Sequence, residues 1–129
     1  MSIQSILDLK TIAVVGISDN PDRPSNFVAK FLEGHGYNII PVNPNLTEWE
    51  GKNCYHDLLS IPLKVDVVDI FRRPEAVPQI VDEAIAIKAK VVWMQEGIVN
   101  EEAAAKARAA GIDVVMDRCM KTEYIRLKS

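Results

Sequence analysis

Short apolar runs alternate with amphipathic segments along the whole chain. Each run is about five to seven residues long and rich in Val and Ile, which is typical of β-strands. Runs that are continuously apolar, without a polar face, favour a parallel sheet that is covered on both sides. The five runs are Thr11–Val15, 37–42, 65–71, 90–94 and 112–116.

The segments between these runs have helical periodicity. Apolar residues at helical spacing predict a helix over residues 25–33, which Gly34 and Gly36 would end. A second helix is predicted from Pro74 to about residue 87, with Pro78 tolerated because it falls near the first turn. Asn100 is predicted to cap a third helix that Gly111 closes. Residues 46–63 are irregular, with a short helical turn around residues 56–59.

Strands that alternate with about four helices predict an α/β fold with an open, doubly wound parallel sheet, in one domain covering residues 1–129. The expected order of the runs across the sheet is 3-2-1-4-5. Ligands of such sheets bind at the carboxyl ends of the strands. The candidate site is therefore formed by the loops that follow the five runs.

Composition adds limits to the possible functions. The chain has 129 residues, of which 48% are apolar and 26% charged, with a net charge of −3. These values are typical of a soluble globular protein and exclude a disordered chain. Apolar stretches of at most four residues predict no membrane span, and the N-terminus does not resemble a signal peptide, so we expect a cytoplasmic protein. The mild negative charge argues against nucleic acid or a membrane surface as a partner.

Cysteine and histidine are scarce. Cys54 and Cys119 lie 65 positions apart, without a Cys-x-x-Cys motif, and His35 and His56 are the two histidines. We therefore expect no metal site and no disulfide, with both thiols free and both histidines at the surface.

The first loop has features of an anion site. Gly16 permits a tight turn, Ser18 offers a hydroxyl and a backbone N–H, and the helix beginning near Ser25 directs unbonded N–H groups at the loop. Only the first glycine of the dinucleotide motif Gly-x-Gly-x-x-Gly is present, because Ser18 and Pro21 replace the others. Arg23 either covers a phosphate or is simply solvated, and both alternatives stay open.

The residues of the second and third loops indicate which kind of nucleotide the site could bind. NAD-binding sheets usually carry an acidic residue after the second strand, and Val42-Asn43-Pro44 has none. This loop either lies against a base or is a plain turn. In the third loop, Phe71 is a candidate for stacking on a purine, or else a core residue. Arg72 and Arg73 are predicted to bind phosphate.

The fourth loop offers Gln95 and Glu96 beside Gly97, whose missing side chain permits close backbone approach. The fifth loop offers Asp117, Arg118, Cys119 and Lys121. Cys119 is either a reactive thiol beside the two basic residues or an inert one packed under the loop.

Together these motifs resemble the small stand-alone CoA-binding proteins, which are similar to the N-terminal CoA-binding domain of the succinyl-CoA synthetase α subunit. The segments that carry the resemblance are Val14-Val-Gly-Ile-Ser18, Arg23-Pro-Ser25, Pro41-Val-Asn-Pro44, Val68-Asp-Ile-Phe-Arg-Arg-Pro-Glu75, Trp93-Met-Gln-Glu-Gly-Ile98 and Asp117-Arg-Cys-Met-Lys121. The likeness covers nearly the whole chain and implies a Rossmann-like fold.

The resemblance also implies where parts of coenzyme A would lie. The pyrophosphate would lie near residues 16–18 and 23–25, the adenosine 3′-phosphate end near 41–43 and 71–73, and the pantetheine along 95–98. The resulting predicted binding residues are Gly16, Ile17, Ser18, Arg23, Pro24, Ser25, Pro41, Val42, Asn43, Phe71, Arg72, Arg73, Gln95, Gly97 and Ile98.

The synthetase carries its phosphorylated histidine in a further domain, which we do not expect here. The sequence therefore predicts a non-catalytic module that binds coenzyme A or an acyl-CoA as a carrier, sensor or regulator, with no catalytic residue. An NAD(P)-dependent oxidoreductase or another nucleotide-binding domain is the alternative, and a phosphorylated signalling receiver is a weaker one, because no acidic pair follows the first strand. Self-association and a protein partner both stay open.

Overall fold

The computed structural model describes residues 1–129, in which strands and helices alternate as the periodicity predicts. In chain order the elements are α1 (Ile3–Ile6), β1 (Thr11–Val15), α2 (Pro24–Gly34), β2 (Asn38–Val42), β3 (Glu48–Trp49), β4 (Lys52–Asn53), β5 (Val67–Ile70), α3 (Val77–Ala86), β6 (Val91–Met94), α4 (Glu101–Ala109), β7 (Asp113–Val115) and α5 (Met120–Lys128). Two short 3₁₀ turns lie at Leu58–Ser60 and Pro74–Ala76.

The five predicted strands form one parallel sheet in the order β2-β1-β5-β6-β7. The α/β fold with a doubly wound parallel sheet is confirmed. The predicted order of 3-2-1-4-5 is wrong, because the third run pairs with the first and not with the second. The order of the runs is 2-1-3-4-5, and the winding direction reverses between β1 and β5.

The chain after β2 explains this order. Tyr55 donates its N–H to the carbonyl of Pro41 (3.0 Å) and accepts from the N–H of Asn43 (2.9 Å), so it occupies the outer edge of β2. The small β3–β4 hairpin packs beside it, and the ammonium of Lys52 donates to the carbonyl of Ile39 (2.9 Å). Because this edge is covered, β5 pairs with β1 instead. A proline such as Pro41 destabilises a sheet least in an edge strand, because it cannot donate a backbone hydrogen bond to a second neighbouring strand.

Helices cover both faces of the sheet. Alternate residues of each strand point to opposite faces, so Ile12 and Val14 pack under α1, α2 and α5, while Ala13 and Val15 pack under α3 and α4. This arrangement explains why the strands are apolar at every position and not only at every second one.

Several local predictions are confirmed. The side chain of Asn100 accepts a hydrogen bond from the N–H of Ala103 (2.9 Å) and caps α4, and Gly111 follows that helix with a φ of +84°. Pro78 lies in the first turn of α3. Cys54 and Cys119 are free thiols, and both histidines are exposed. None of the helices has the length and apolar character needed to cross a bilayer.

Three elements were not predicted: α1, α5 and the β3–β4 hairpin. The hairpin consists of two-residue strands in a polar segment, which is too short for an alternating pattern to show. Helix α5 does carry a signal, since Met120, Tyr124 and Leu127 follow the i, i+4, i+7 spacing of a helix packed on a core. The missed α5 contributes to the candidate site.

Candidate functional site

A cleft of about 1020 Å³ lies at the carboxyl ends of the sheet strands. It is lined by the loops after β1, β2, β5 and β6, by the first turns of α2 and α5, and by Cys119, which precedes α5. Its volume is at the upper end of the range of about 300–1,000 Å³ typical of small-molecule sites. Thirteen of the fifteen predicted binding residues line it: Gly16, Ile17, Ser18, Arg23, Pro24, Ser25, Asn43, Phe71, Arg72, Arg73, Gln95, Gly97 and Ile98.

Pro41 and Val42 do not line this cleft, contrary to the prediction. Both are buried in β2, and the carbonyl of Val42 accepts hydrogen bonds from the N–H groups of Gly16 (2.9 Å) and Ile17 (3.4 Å). The carbonyl of Val42 thereby supports the first loop, whereas the carbonyl of Pro41 accepts from the N–H of Tyr55 (3.0 Å) at the other edge of β2. From this loop Asn43, Asn45 and Leu46 reach the cleft.

The loop after β1 is held by side chains that bind its carbonyl groups. The amide of Asn43 donates to the carbonyl of Ile17 (2.7 Å). The amide of Asn26 and the indole N–H of Trp49 both donate to the carbonyl of Ser18 (2.8 and 2.9 Å).

In a trans peptide the carbonyl and the next N–H point in opposite directions. Because the two carbonyls point into the protein, the N–H groups of Ser18 and Asp19 point away from it. Neither has a hydrogen-bond partner in the protein. The loop therefore presents two adjacent backbone donors, which is an arrangement suited to an anion.

Helix α2 begins at the same place. Ser25 is only 6% exposed, yet its hydroxyl and its backbone N–H have no protein partner, and it lines the cleft. Pro24 occupies the first helical position, where its missing N–H costs nothing. No side chain caps this helix, so its N-terminal dipole and free donors face the cleft.

Charge in the cleft is opposite in sign to that of the whole chain. The cleft contains four basic side chains, Arg23, Arg72, Arg73 and Lys121, and two acidic ones, Asp19 and Glu96. Arg73 has one distant carboxylate neighbour, Glu75 at 3.9 Å, and both side chains are largely exposed. The net charge of the protein is −3, so the basic surplus is a local feature that favours anionic ligands.

The fourth loop is tied to the start of α5. Gln95 is 4% exposed, and its side-chain oxygen accepts from the N–H of Met120 (3.2 Å), while its side-chain nitrogen has no protein partner. The N–H of Gly97 donates to the carboxylate of Asp117 (2.7 Å). These contacts bring Ile98 and the first turn of α5 to one side of the cleft.

Several lining residues were not among the predicted binding residues. Phe27 lies within the first predicted helix, and it is 42% exposed and borders the cleft. Cys119, Lys121 and Thr122 also line the cleft, and the ammonium of Lys121 lies 5.7 Å from the centre of the Phe27 ring. The helical spacing of α5, which begins directly after Cys119, is the sequence signal that could have placed Lys121 and Thr122 at the cleft.

Arg118 does not reach the cleft, although it is adjacent to Cys119 in sequence. Its guanidinium pairs with the carboxylate of Glu123 (3.4 Å), which also binds Arg126 (2.8 Å). The hydrogen bond from Arg126 lowers the pKa of Glu123, with additional attraction from both guanidinium groups. Of the two basic residues near Cys119 in sequence, Lys121 lines the cleft and Arg118 does not.

Residues 10–125 match the family described as a CoA-binding domain. The chain is 44% identical over 115 residues to the uncharacterized protein YneT of Bacillus subtilis, covering 89% of this chain and 85% of YneT. It is 28% identical to the ADP-forming acetate–CoA ligase I of Archaeoglobus fulgidus, covering 86% of this chain but only 18% of the ligase. A solved structure of a hypothetical protein from Pyrococcus horikoshii OT3 has a TM-score of 0.96 and 45% identity, covering 98% of this chain and 90% of that one.

Proposed function

The chain belongs to the CoA-binding domain family, and from this premise we propose that it binds coenzyme A or an acyl-CoA in the cleft at the carboxyl ends of the strands. We further propose a non-catalytic role as a carrier, sensor or regulatory module. The sequence resemblance, the family match and the chemistry of the cleft all support the proposed binding of coenzyme A.

The observation that carries the proposal is the set of unbonded donors beside α2. The N–H groups of Ser18 and Asp19 and the hydroxyl and N–H of Ser25 have no protein partners and lie at a helix N-terminus. Ser25 is buried and Ser18 half-buried, while Asp19 is exposed beside them. Buried donors are normally satisfied, so the free donors of Ser25 and Ser18 support a ligand oxygen at this place. A pyrophosphate offers several anionic oxygens to such a site.

The strand order brings the predicted phosphate-binding residues of two loops close together. The loop of Arg72 and Arg73 follows β5, which is adjacent to β1, so the arginines lie beside the donors of the first loop. In the proposed binding mode Arg23 contacts the pyrophosphate and the loop of residues 71–73 contacts the 3′-phosphate end. The pantetheine then extends along Gln95, Gly97 and Ile98.

The composition of the cleft favours binding over catalysis. Its lining contains the hydroxyls of Ser18, Ser25 and Thr122 and the thiol of Cys119, but no histidine. A nucleophilic hydroxyl or thiol is usually activated by a neighbouring base such as an imidazole. His35 and His56 both lie outside this cleft.

An NAD site is disfavoured by the residue at the end of β2. NAD-binding sheets place a carboxylate there for the ribose, whereas this chain has Asn43, whose amide nitrogen is engaged with the carbonyl of Ile17. The basic residues instead suit a ligand with an additional phosphate.

Calorimetric titration with coenzyme A, 3′-dephospho-CoA and NAD tests the proposal. A charge-assisted phosphate contact contributes about 1.5–3 kcal/mol, so we expect coenzyme A to bind about 10- to 100-fold more tightly than dephospho-CoA, and NAD to bind more weakly than both. Equal affinities for coenzyme A and NAD would overturn the assignment. Incubation of the protein with acetyl-CoA should leave the thioester intact, and release of free thiol above the buffer rate would contradict a non-catalytic role.

A further inference from the structure

We propose that Cys119 exchanges with a disulfide of coenzyme A and holds the CoA moiety as a mixed disulfide, which makes the module a sensor of the thiol redox state. This inference rests on the proposed binding of coenzyme A and deepens it. It assigns a covalent role to a residue at the end of the cleft where the pantetheine thiol would arrive.

The position of Cys119 supports the inference. The residue directly precedes α5, is half-buried and lines the same cleft as Gln95, Gly97 and Ile98. Strand β7, which leads to Cys119, is the neighbour of β6, which leads to Gln95. A chain that runs along the fourth loop away from the phosphate site therefore reaches the fifth loop next.

Gln95 gives independent evidence for a ligand at this end. It is 96% buried, since its exposure is 4%, and its oxygen is held by the N–H of Met120, the residue after Cys119. Gln95 lines the cleft, and its side-chain nitrogen has no protein partner. An amide donor that is fixed in this way and has no protein partner is suited to bind a carbonyl group, and the pantetheine arm contains two amide carbonyls.

Lys121 supplies positive charge on the same side. Its ammonium has no carboxylate partner and lies 5.0 Å from the centre of the Phe31 ring and 5.7 Å from that of Phe27. The ammonium is therefore available to attract an anionic group of a ligand bound in the cleft.

The exchange is balanced without an additional oxidant. The thiolate of Cys119 attacks one sulfur of the CoA disulfide, a new sulfur–sulfur bond forms, and the other CoA leaves as a thiolate that takes up a proton from water. The disulfide of coenzyme A is the oxidant, and the protein thiol is oxidised. A small thiol such as dithiothreitol reverses the reaction.

Cys54 is an internal control. It is buried, its thiol donates to the carbonyl of Asn43 (3.7 Å), and it lies outside the cleft lining. Burial raises the pKa of the Cys54 thiol, with the hydrogen bond to Asn43 opposing this effect. We therefore expect Cys54 to stay unmodified in the folded protein.

The test is intact-mass measurement of the full chain after incubation with CoA disulfide, followed by peptide mapping. We expect one reducible CoA adduct, mapped to Cys119, present in Cys54→Ser and absent in Cys119→Ser. Glutathione disulfide at the same concentration should react at least about tenfold more slowly, because it lacks the groups that position the CoA disulfide in the cleft. Saturation with desulfo-CoA, which has no thiol, should suppress the adduct.

Calorimetry with coenzyme A on the same samples distinguishes a failure of CoA binding from a failure of the disulfide exchange. If coenzyme A binds and no adduct forms, or the adduct maps to Cys54, the redox inference is wrong and the binding function stands. An equal rate with glutathione disulfide also overturns the inference. If coenzyme A does not bind, the proposed function and the inference fail together. Mapping on the wild-type chain keeps the result decisive even if Cys119→Ser folds poorly.

Discussion

Gly16 lies against the backbone carbonyl of Phe71 at the point where the winding of the sheet reverses. A Cβ atom at position 16 would be 2.5 Å from that oxygen and 2.8 Å from the Cδ of Arg72. Gly16 also has a φ of +86°, a conformation that residues with a side chain rarely adopt. The loops after β1 and β5 can therefore meet only because position 16 carries no side chain.

Replacement of this glycine should damage both the fold and the site. We expect Gly16→Ala to lower the free energy of unfolding by about 3 kcal/mol, from backbone strain and from the clash with Phe71, and to weaken CoA binding by moving Arg72. Urea unfolding and calorimetry measure the two effects.

Gly36→Ala is a matched control. Gly36 has a φ of +92°, but nothing lies within 4 Å of the Cβ that would be added. This variant should lose only about 1–2 kcal/mol, from backbone strain alone, and should bind coenzyme A normally. Equal losses for the two variants would mean that the contact with Phe71 has no importance.

Arg72 and Arg73 should contribute mainly to binding. We expect Arg72→Ala or Arg73→Ala to weaken CoA binding by about 10- to 100-fold, with little change in the free energy of unfolding, because both side chains are exposed and Arg73 has only a weak pairing. Calorimetry with coenzyme A is the measurement. Arg108→Ala removes an exposed arginine outside the cleft and should bind as the wild type does. If both cleft variants also bind like the wild type, the adenosine end is placed wrongly.

The hydroxyl of Ser25 should contribute to CoA binding but not to folding. Its oxygen makes no hydrogen bond within the protein, so Ser25→Ala should leave the free energy of unfolding almost unchanged. A neutral hydrogen bond to a ligand contributes about 0.5–1.5 kcal/mol, so CoA binding should weaken by about 2- to 13-fold. An unchanged affinity would place the ligand away from the start of α2.

Asp69 should make stability depend on pH. It is fully buried in the central strand β5, neither carboxyl oxygen has a hydrogen-bond partner, and burial raises its pKa well above the usual value of 3.8. Above that value the unfolded chain releases a proton that the native chain retains, so the contribution of this group to stability falls as pH rises through the interval between the two pKa values.

Asp69→Asn removes this titration. In urea titrations across a range of pH, the variant should lose less stability than the wild type as pH rises above about 4. Parallel curves for the two proteins would show that the carboxyl titrates alike in the folded and unfolded chains.

Some features of the site could be predicted from sequence because they depend on local chemistry. The glycine after β1 and the serine at the start of α2 follow from turn and helix-end preferences, the arginines after β5 follow from the affinity of guanidinium groups for phosphate, and all line the cleft. Phe27 was not predicted to line the cleft, and Lys121 was named only as a residue of the fifth loop, because their positions depend on how α5 packs against α2.

The sequence by itself determined the periodic elements, the parallel sheet and the end of the sheet at which the candidate site is expected. These depend on the spacing of apolar residues and on turn residues, which act within a few positions of each other. Only the tertiary structure decided the order of the strands. That order depends on Tyr55 covering the edge of β2 and on β5 pairing with β1, contacts between residues distant in sequence that leave no periodic pattern. The same long-range packing buried Pro41 and Val42 and brought Cys119 into the cleft, because side chains reach a site through the packing of whole elements.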